Sequence, residues 1–240
     1  MNDPRQRLRD LVAADQAAAR GVASEMELIC TRCVSELEVS GAGATVLSHT
    51  GHTDGCDPSR GLVHASNDVS RGLEDLQLTV GEGPCLDTFD TGGPVLIAEL
   101  KSEGARWPAF TQEALKLGAA AVFSFPLQIG VVRLGSLDCY RDSPGSLTQD
   151  QVTDALVLAE LATQAVINEL DGHTTDDVGW LADPHTEIHQ AAGMVQVQLG
   201  ASTDVALMRM RGYAYTHHIP LTELARQVVT RELRFPPDDT

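Results

Sequence analysis

The first long run of apolar positions is helical. From Val22 to Leu37 apolar side chains recur at intervals of three or four residues, which places them in one stripe on an α-helix. Leu8, Leu11 and Val12 show the same spacing earlier in the chain, and Gly21 separates the two patterns. We therefore predict an N-terminal helical extension over residues 1–19, followed by a second helix.

After Gly43 the pattern changes to short apolar runs that predict β-strands. These runs are Ala44–Leu47, Leu62–Ala65, Val95–Ile97, Val122–Ile129 and Val132–Tyr140. Between Phe123 and Ile129 apolar and polar residues alternate, so one face of that strand belongs to a core. Pro126 interrupts this strand and restricts it to a sheet edge or a bulge, because proline has no N–H to donate to a neighbouring strand.

Helical patterns lie between and after these strands. The predicted helices cover Ser70–Leu78, Cys85–Asp90 and Trp107–Leu117, and a capping-box pattern at Thr148 and Gln151 opens a longer helix that reaches about Leu170. The long helix is apolar on more than one face. It should therefore pack on the sheet and also on another helix, and we expect that helix to come from a second subunit in a homodimer.

A polar linker is predicted over residues 171–182, because this segment shows no apolar periodicity. Three helix-sized segments follow it. Asp183-Pro184 begins the first, which stops at Gly200; Ser202 caps the second; Pro220 begins the third. Residues 183–235 thus read as a small helical bundle with a tail at 236–240.

The charge of the chain is uneven. Its 240 residues carry 17 basic and 34 acidic side chains, a formal charge of −17. Residues 1–184 hold 12 basic against 28 acidic side chains, whereas 185–240 hold 5 against 6. Phosphate binding depends on Lys and Arg, so nucleic acid would be repelled by the first part and tolerated by the second. No apolar run is long enough for a membrane helix and the first residues do not resemble a signal peptide, so we expect a cytoplasmic protein.

The five cysteines do not form a metal-binding or disulfide pattern. Cys30, Cys33, Cys56, Cys85 and Cys139 are odd in number and lack a paired CxxC spacing. Cys30 and Cys33 lie on the apolar helical stripe, where core packing is the better interpretation. His185 and His189 share one helical face, but HTEIH matches no zinc motif. The sequence predicts no metal site.

Residues 188–229 read IHQAAGMVQVQLGASTDVALMRMRGYAYTHHIPLTELARQVV. This segment resembles an ANTAR domain, the three-helix RNA-binding module of bacterial transcription antiterminators, through Gln-Ala-x-Gly-Met, Leu-Gly-x-Ser, Arg-x-Arg-x-x-Ala-aromatic and Leu-x-x-Leu-Ala. The resemblance implies RNA-binding roles for Gln190, Ala191, Gly193, Arg209, Arg211, Ala214 and Tyr215. Ala192 stands where such domains often have Lys, so a phosphate contact is missing there.

Arg209 and Arg211 cannot face the same RNA groove. They lie two residues apart on one helix and therefore point about 200° away from each other. From the motif we expect Arg211 to face the RNA and Arg209 to be a solvated surface charge.

Residues 20–170 are similar to a GAF domain, through Gly-Glu-Gly-Pro-Cys-Leu-Asp at 81–87 and Arg-Trp-Pro at 106–108. The resemblance implies an α+β GAF domain, an antiparallel sheet flanked by helices, before the all-α three-helix ANTAR bundle. We assign ligand or redox sensing to Cys85, Glu82 and Phe125. Cys85 lies in the opening turn of a predicted helix, where the helix dipole lowers a thiol pKa. A buried structural cysteine is the competing interpretation, and the ligand or cofactor is not indicated.

Together the two resemblances imply a signal-responsive antiterminator without catalytic activity. Its ANTAR dimer would hold two hairpin loops of a leader transcript, while the GAF domain senses a small molecule or a redox signal. Two alternatives stay open. One is a GAF-fold thiol enzyme such as a free-methionine sulfoxide reductase, and the other is a regulator that uses the bundle to bind DNA or protein.

Overall fold

The computed structural model describes residues 4–19, 24–48, 59–171 and 184–236. The helices are α1 (Pro4–Ala19), α2 (Glu25–Leu37), α3 (Asp68–Val80), α4 (Pro84–Thr91), α5 (Pro108–Leu117), α6 (Gln149–Asp171), α7 (Pro184–Leu199), α8 (Thr203–His217) and α9 (Leu221–Val229), with a short 3₁₀ helix at Leu100–Glu103. The strands are β1 (Gly41–Ser48), β2 (Ser59–Ala65), β3 (Val95–Ile97), β4 (Ala121–Ile129) and β5 (Val132–Arg141). Within these ranges no helix is both long and apolar enough to cross a membrane.

The strands form one antiparallel sheet in the order β2-β1-β5-β4-β3. The prediction of strands in these five regions is confirmed. Pro126 lies in β4, which pairs with β5 along its length but with β3 only as far as Ser124. At Pro126 the strand therefore has one neighbour, and a register shift follows between Leu127 and Gln128. Both features explain how proline is accommodated there.

One face of the sheet is apolar and is covered by α1, α2 and α6. Its core contains buried side chains from both layers: Ala42, Ala44, Phe123, Phe125, Leu127, Leu137 and Cys139 from the sheet, and Leu8, Ile29, Cys30, Cys33, Leu37, Leu158, Ala162 and Val166 from the helices. Because α1 contributes Leu8 and Val12 to this core, the N-terminal helix is an integral layer of the domain. We call this side the apolar face.

The capping box that opens α6 is confirmed. The backbone N–H of Gln151 donates to Thr148 Oγ1 over 3.2 Å, and the backbone N–H of Thr148 donates to Gln151 Oε1 over 3.0 Å. The apolar surface of α6 packs on the sheet and on α1 and α2 of the same chain. Its second helical contact is therefore supplied within the chain, and the homodimer stays a prediction.

The opposite face of the sheet is covered by α3, α4 and α5 and is partly polar. Apolar packing is concentrated at one end, around Leu100, Trp107, Phe110, Val122 and Tyr140. Elsewhere buried polar side chains lie on this face, among them Thr45, Glu74, Gln77, Thr88, Ser124 and Ser136. We call this side the polar face. Buried polar groups are costly unless they are hydrogen-bonded, so their concentration indicates that this face carries a functional site.

The three C-terminal helices pack on one another as a bundle, with the boundaries expected from the sequence. Ser202 caps α8 by accepting a hydrogen bond from the Val205 N–H, and Gly200 takes a left-handed conformation after α7. The bundle core contains Ile188, Ala191, Ala192, Val195, Ala206, Met210, Ala214, Leu221, Leu224, Ala225 and Val228. Leu78 of α3 also belongs to this core, so the bundle rests directly on the sheet domain.

Candidate functional site

The α3–α4 turn is built from the Gly-Glu-Gly-Pro-Cys motif. Gly81 ends α3 in the left-handed region with φ 72°, and its N–H donates to the Gln77 carbonyl. Gly83 has φ 142°, and a Cβ there would lie 2.6 Å from the Gln77 Oε1. Only glycine fits these two positions without strain. Pro84 then begins α4, which places Cys85 in its first turn.

The Glu82 side chain caps the N-terminus of α5. Its Oε1 accepts hydrogen bonds from the Ala109 N–H over 2.6 Å and from the Phe110 N–H over 2.9 Å. A carboxylate at a helix N-terminus accepts hydrogen bonds from backbone N–H groups that have no partner within the helix, and its negative charge interacts favourably with the helix dipole. The structure thus places Glu82 at a helix cap, and the sensing role assigned to it from the sequence has no separate support.

Three potential metal ligands meet on the polar face. Oxygens of Glu74 and Asp138 and the sulfur of Cys85 all lie within 4.8 Å of one another. They come from α3, β5 and α4, so the fold and not local spacing brings them together. Gln77 joins them, since its Oε1 accepts from the Cys85 N–H over 2.9 Å and its amide group donates to Glu74 Oε2 over 3.4 Å. We call this group the polar cluster.

Hydroxyl groups orient both carboxylates of the polar cluster. Thr45 Oγ1 donates to Glu74 Oε2 over 3.0 Å, and Ser136 Oγ donates to Asp138 Oδ2 over 2.6 Å. Next to them lies a cavity of about 20 Å³ lined in part by Glu74, Gln77 and Asp138. Ser124 is fully buried, and its Oγ makes no hydrogen bond among the described residues.

Phe125 does not join the polar cluster. It lies in the core of the apolar face, on the other side of the sheet from Cys85, so the structure separates two residues that the sequence analysis assigns to one sensing site. The apolar face also holds three cysteine thiols. The hydrogen bond that the Cys33 thiol makes to Cys139, together with burial, raises the pKa of Cys33, and burial raises the pKa of Cys30. Cys30 and Cys33 are therefore poor nucleophiles.

Arg211 and Tyr215 lie at the contact between the bundle and the sheet domain. A Cβ at Gly81 would lie 2.9 Å from the Arg211 Nη1, so the guanidinium covers the α3–α4 turn. The Leu221 N–H donates to Thr79 Oγ1 over 3.2 Å in a buried hydrogen bond. A cavity of about 520 Å³ remains in this contact, between Thr79, Val80 and Ala109 on one side and Arg211, Gly212 and Tyr215 on the other. We call this contact the docked surface.

An open groove lies on another side of the bundle. It has a volume of about 480 Å³ and is lined by Gln190, Gly193, Met194, Val197, Gln198, Val228, Arg231 and Arg234. Nothing lies within 4 Å of the place where a Cβ at Gly193 would stand. Two arginines that the sequence motif does not include, Arg231 and Arg234, stand exposed at its border. We call this feature the bundle groove.

The remaining RNA-binding candidates are divided between core and solvent. Ala191 and Ala214 are completely buried in the bundle core, where they can act only by packing, and Ala192 is buried beside them. Arg209 is exposed. Arg211 lies against the α3–α4 turn in this arrangement, and its expected contact with RNA stays a prediction. The side chain of His185 lies outside the described residues.

Comparisons with known proteins bear on the fold. No model of a known protein family matches the chain, and no curated protein matches it. Among solved structures, the GAF domain of an Acinetobacter phosphoenolpyruvate-protein phosphotransferase covers 73% of this chain and 100% of its own, with 11% identity and a TM-score of 0.51. The corresponding GAF domain from Coxiella burnetii covers 71% of this chain and 98% of its own, with 14% identity and a TM-score of 0.51.

A free methionine-R-sulfoxide reductase from Neisseria meningitidis is also similar, with 12% identity over 72% of this chain and 96% of its own. Its TM-score of 0.45 is too low to bear on function. Sequence identities this low support a conclusion about the fold alone. The antiparallel sheet and the helices on its two faces have the fold of a GAF domain.

Proposed function

We propose that this chain is a signal-responsive RNA-binding regulator, in which the C-terminal bundle binds RNA and the GAF-fold domain controls it. The bundle groove is the observation that carries this proposal. It combines the exposed amide of Gln190, the open backbone at Gly193 and the guanidinium groups of Arg231 and Arg234 in one concave surface. Such a surface suits unpaired RNA bases with their phosphates at the border.

The charge distribution favours a local contact of this kind. With a formal charge of −17, the chain repels nucleic acid over most of its surface. A glycine without close neighbours leaves room for a base or a ribose beside α7. Hairpin loops expose unstacked bases to such a groove, whereas the deep, narrow major groove of an RNA duplex is closed to side chains. We therefore infer that hairpin loops are the target.

The resemblance of residues 188–229 to an ANTAR domain extends this proposal to transcription antitermination. A protein that holds small hairpins in a leader transcript prevents formation of an overlapping terminator hairpin, and transcription continues. A homodimer would hold two tandem loops, and the second contact would gain from a high effective concentration.

Control would act through the docked surface. Arg211 and Tyr215 belong to the motif that implies RNA binding, yet here they lie against Thr79, Val80 and Gly81. In the docked arrangement the bundle groove and Arg209 stay exposed. A signal that weakens the contact would expose Arg211 and raise the RNA affinity, as in any equilibrium between two conformations.

The test is fluorescence anisotropy with a labelled RNA that carries two hexanucleotide hairpin loops, measured at two salt concentrations. We expect binding that weakens with salt. Replacing both Arg231 and Arg234 by alanine should weaken it and reduce the salt slope by about 1 to 2, because two phosphate contacts are lost. Arg226→Ala is the control, since this exposed arginine pairs with Glu223 on the surface of α9 and does not line the groove.

Two results would overturn the proposal. One is an absence of RNA binding by the wild type over the whole range of protein concentrations. The other is displacement of the RNA by an equal concentration of duplex DNA, which would favour the DNA-binding alternative. Equal losses in the groove variant and in Arg226→Ala would reject the groove as the RNA contact.

A second candidate, a GAF-fold thiol enzyme, is favoured by one observation, the placement of Cys85 beside two carboxylates. Within the described ranges Cys85 is the one thiol on the polar face, because Cys30, Cys33 and Cys139 lie in the core of the apolar face. Among the four cysteines that the structure describes, none of the other three lies beside Cys85 as a resolving thiol. Turnover of free methionine sulfoxide by the reduced protein, abolished by Cys85→Ser, would support the enzyme and count against a purely regulatory role.

A further inference from the structure

We propose that the polar cluster is a binding site for a divalent transition-metal ion, with Glu74, Cys85 and Asp138 as its ligands. The site is formed by three separate elements, α3, α4 and β5, whose ligand atoms lie within 4.8 Å of one another. Metal–oxygen and metal–sulfur bonds in zinc sites are about 2.0–2.3 Å long, so two ligand atoms of one ion lie at most about 4.6 Å apart, and small side-chain movements bring these three atoms onto a single ion.

The donor set selects the class of metal. A thiolate is a soft ligand that favours zinc or iron over magnesium and calcium, while carboxylates bind all of these ions. One sulfur and two carboxylate oxygens therefore fit Zn²⁺ or Fe²⁺. Three protein ligands leave one position of a tetrahedral ion for water or for an exogenous ligand, which is the arrangement of a reactive or sensing site.

Hydrogen bonds already hold the ligands in place. Thr45 and Gln77 donate to the Oε2 of Glu74, and Ser136 donates to the Oδ2 of Asp138. Gln77 also accepts from the backbone N–H of Cys85. Outer contacts of this kind orient metal ligands and contribute to metal affinity.

A second and independent observation comes from Ser124. Its side chain is fully buried, and its Oγ has no hydrogen-bond partner in the described part of the chain. Ser124 is the direct register partner of Asp138, so both side chains are on the polar face of the sheet. A buried hydroxyl without a partner is costly, and a metal-bound water beside Asp138 would give it one.

The space beside the cluster has the size of a single ion or water. The cavity lined by Glu74, Gln77 and Asp138 measures about 20 Å³, and a water needs about 10–15 Å³ on the same measure. A small organic ligand does not fit there without movement of the surrounding helices. Cys85 does not line this cavity, so the cavity would hold a water or one other small ligand beside the ion.

Cys85 lies in the first turn of α4 and is buried beside the two carboxylates, so the positive charge that would stabilise its thiolate has to come from the metal ion itself. When the metal binds, the sulfur forms a bond to the ion and the thiol proton leaves to solvent; no electron is transferred.

The position of this site suggests what it does. Glu74 lies on α3 and Cys85 on α4, so an ion would join the two helices on either side of Gly81, which Arg211 covers. This step rests on the proposed function: the metal would hold the α3–α4 turn in the conformation that docks the bundle. Metal binding itself does not depend on RNA, so each idea can fail separately.

The experiment is a titration of the reduced, chelator-treated full-length protein with Co²⁺ under argon. We expect one equivalent to bind and to produce the near-ultraviolet absorption of a thiolate–Co²⁺ bond, which Zn²⁺ then removes by displacement. Cys85→Ser should abolish this band, and Asp138→Asn should lower the Zn²⁺ affinity at least tenfold, as second-shell losses alone cost about 10–100-fold. Zn²⁺ should also raise the Tm of the wild type and leave that of Cys85→Ser unchanged.

The control is Cys139→Ala, which removes a thiol next to Asp138 in sequence but on the apolar face. It should retain the Co²⁺ band. Circular dichroism of each variant verifies that it is folded. Absence of stoichiometric Co²⁺ binding to the wild type, or persistence of the thiolate band in folded Cys85→Ser, would overturn the proposal.

Discussion

The docked surface and the bundle groove lie on one three-helix bundle but differ in what they contact. At the docked surface Arg211 covers Gly81, and Thr79 accepts a buried hydrogen bond from the Leu221 N–H. In the bundle groove Gly193 has open space beside it, and Arg231 and Arg234 are exposed. The residues expected to bind RNA are thus divided between a covered surface and an accessible one. Such a division allows the GAF-fold domain to control part of an RNA contact.

The largest effect is expected in the bundle core. Ala191→Glu places an uncompensated carboxylate where the side chain is fully buried, and it should destabilise the bundle by about 3 kcal/mol or more. Gln190→Glu introduces the same residue one position earlier, where the side chain is exposed, and should change the free energy of unfolding by less than about 0.5 kcal/mol. Circular dichroism during denaturation measures both. Equal destabilisation by the two variants would show that the burial assigned to α7 is wrong.

The next effect tests the docked surface. Thr79→Val removes the acceptor of the Leu221 N–H and should weaken docking by about 1 kcal/mol, which is about a fivefold change in the docking equilibrium. RNA affinity of the intact protein should then rise by up to the same factor.

Thr91→Val is the matched control for this substitution. Thr91 makes the same hydrogen bond to the carbonyl four residues earlier but is exposed and does not face the bundle. Unchanged RNA affinity in Thr79→Val, or an equal rise in the control, would contradict control by docking.

A smaller effect distinguishes the two arginines of α8. Arg209→Ala should reduce the salt slope of RNA binding by about 0.7, because one exposed phosphate contact is lost. Arg211→Ala should leave the slope nearly unchanged in the docked protein, since this guanidinium lies against the α3–α4 turn. The reverse order of effects would mean that RNA binds on the side of α8 that the sheet domain covers.

The smallest effect concerns pH. A side-chain hydrogen bond from Arg226 lowers the pKa of Glu223 to about 2. Because the folded pKa lies below the ordinary value of 4.5, the pair stabilises the bundle above about pH 4.5, and this stability is lost as the pH falls towards 2. The pair is exposed, so the change should be slight. Denaturation of wild type and Glu223→Gln between pH 2 and 6 should show a difference that shrinks with acidity; a difference that grows would be inconsistent with this pairing.

Much of the fold could be predicted because it depends on local patterns. Strand alternation, the Thr148–Gln151 capping box and the Ser202 cap are signals within a few residues, and each is found where expected. The role of α1 was harder to predict. Its apolar stripe shows that Leu8 and Val12 are buried, but not that α2 and α6 of the same chain receive them.

The candidate sites were less predictable because they depend on sheet faces and tertiary contacts. Phe125 and Asp138 both lie on strands, and only the register shows that they are on opposite faces. Glu74 and Asp138 are distant in sequence and match no metal motif, so no local spacing could group them with Cys85. Arg211 carries a motif for RNA binding, and its contact with Gly81 arises only once the bundle is placed on α3.

The most direct test of the central claim is hydrogen–deuterium exchange of the full chain with and without the two-loop RNA. If RNA occupies the bundle groove and releases the docked surface, amides of residues 190–198 and 229–235 should become more protected, while those of residues 79–83 exchange faster. Protection confined to the sheet domain, with no change in α7, would contradict the account.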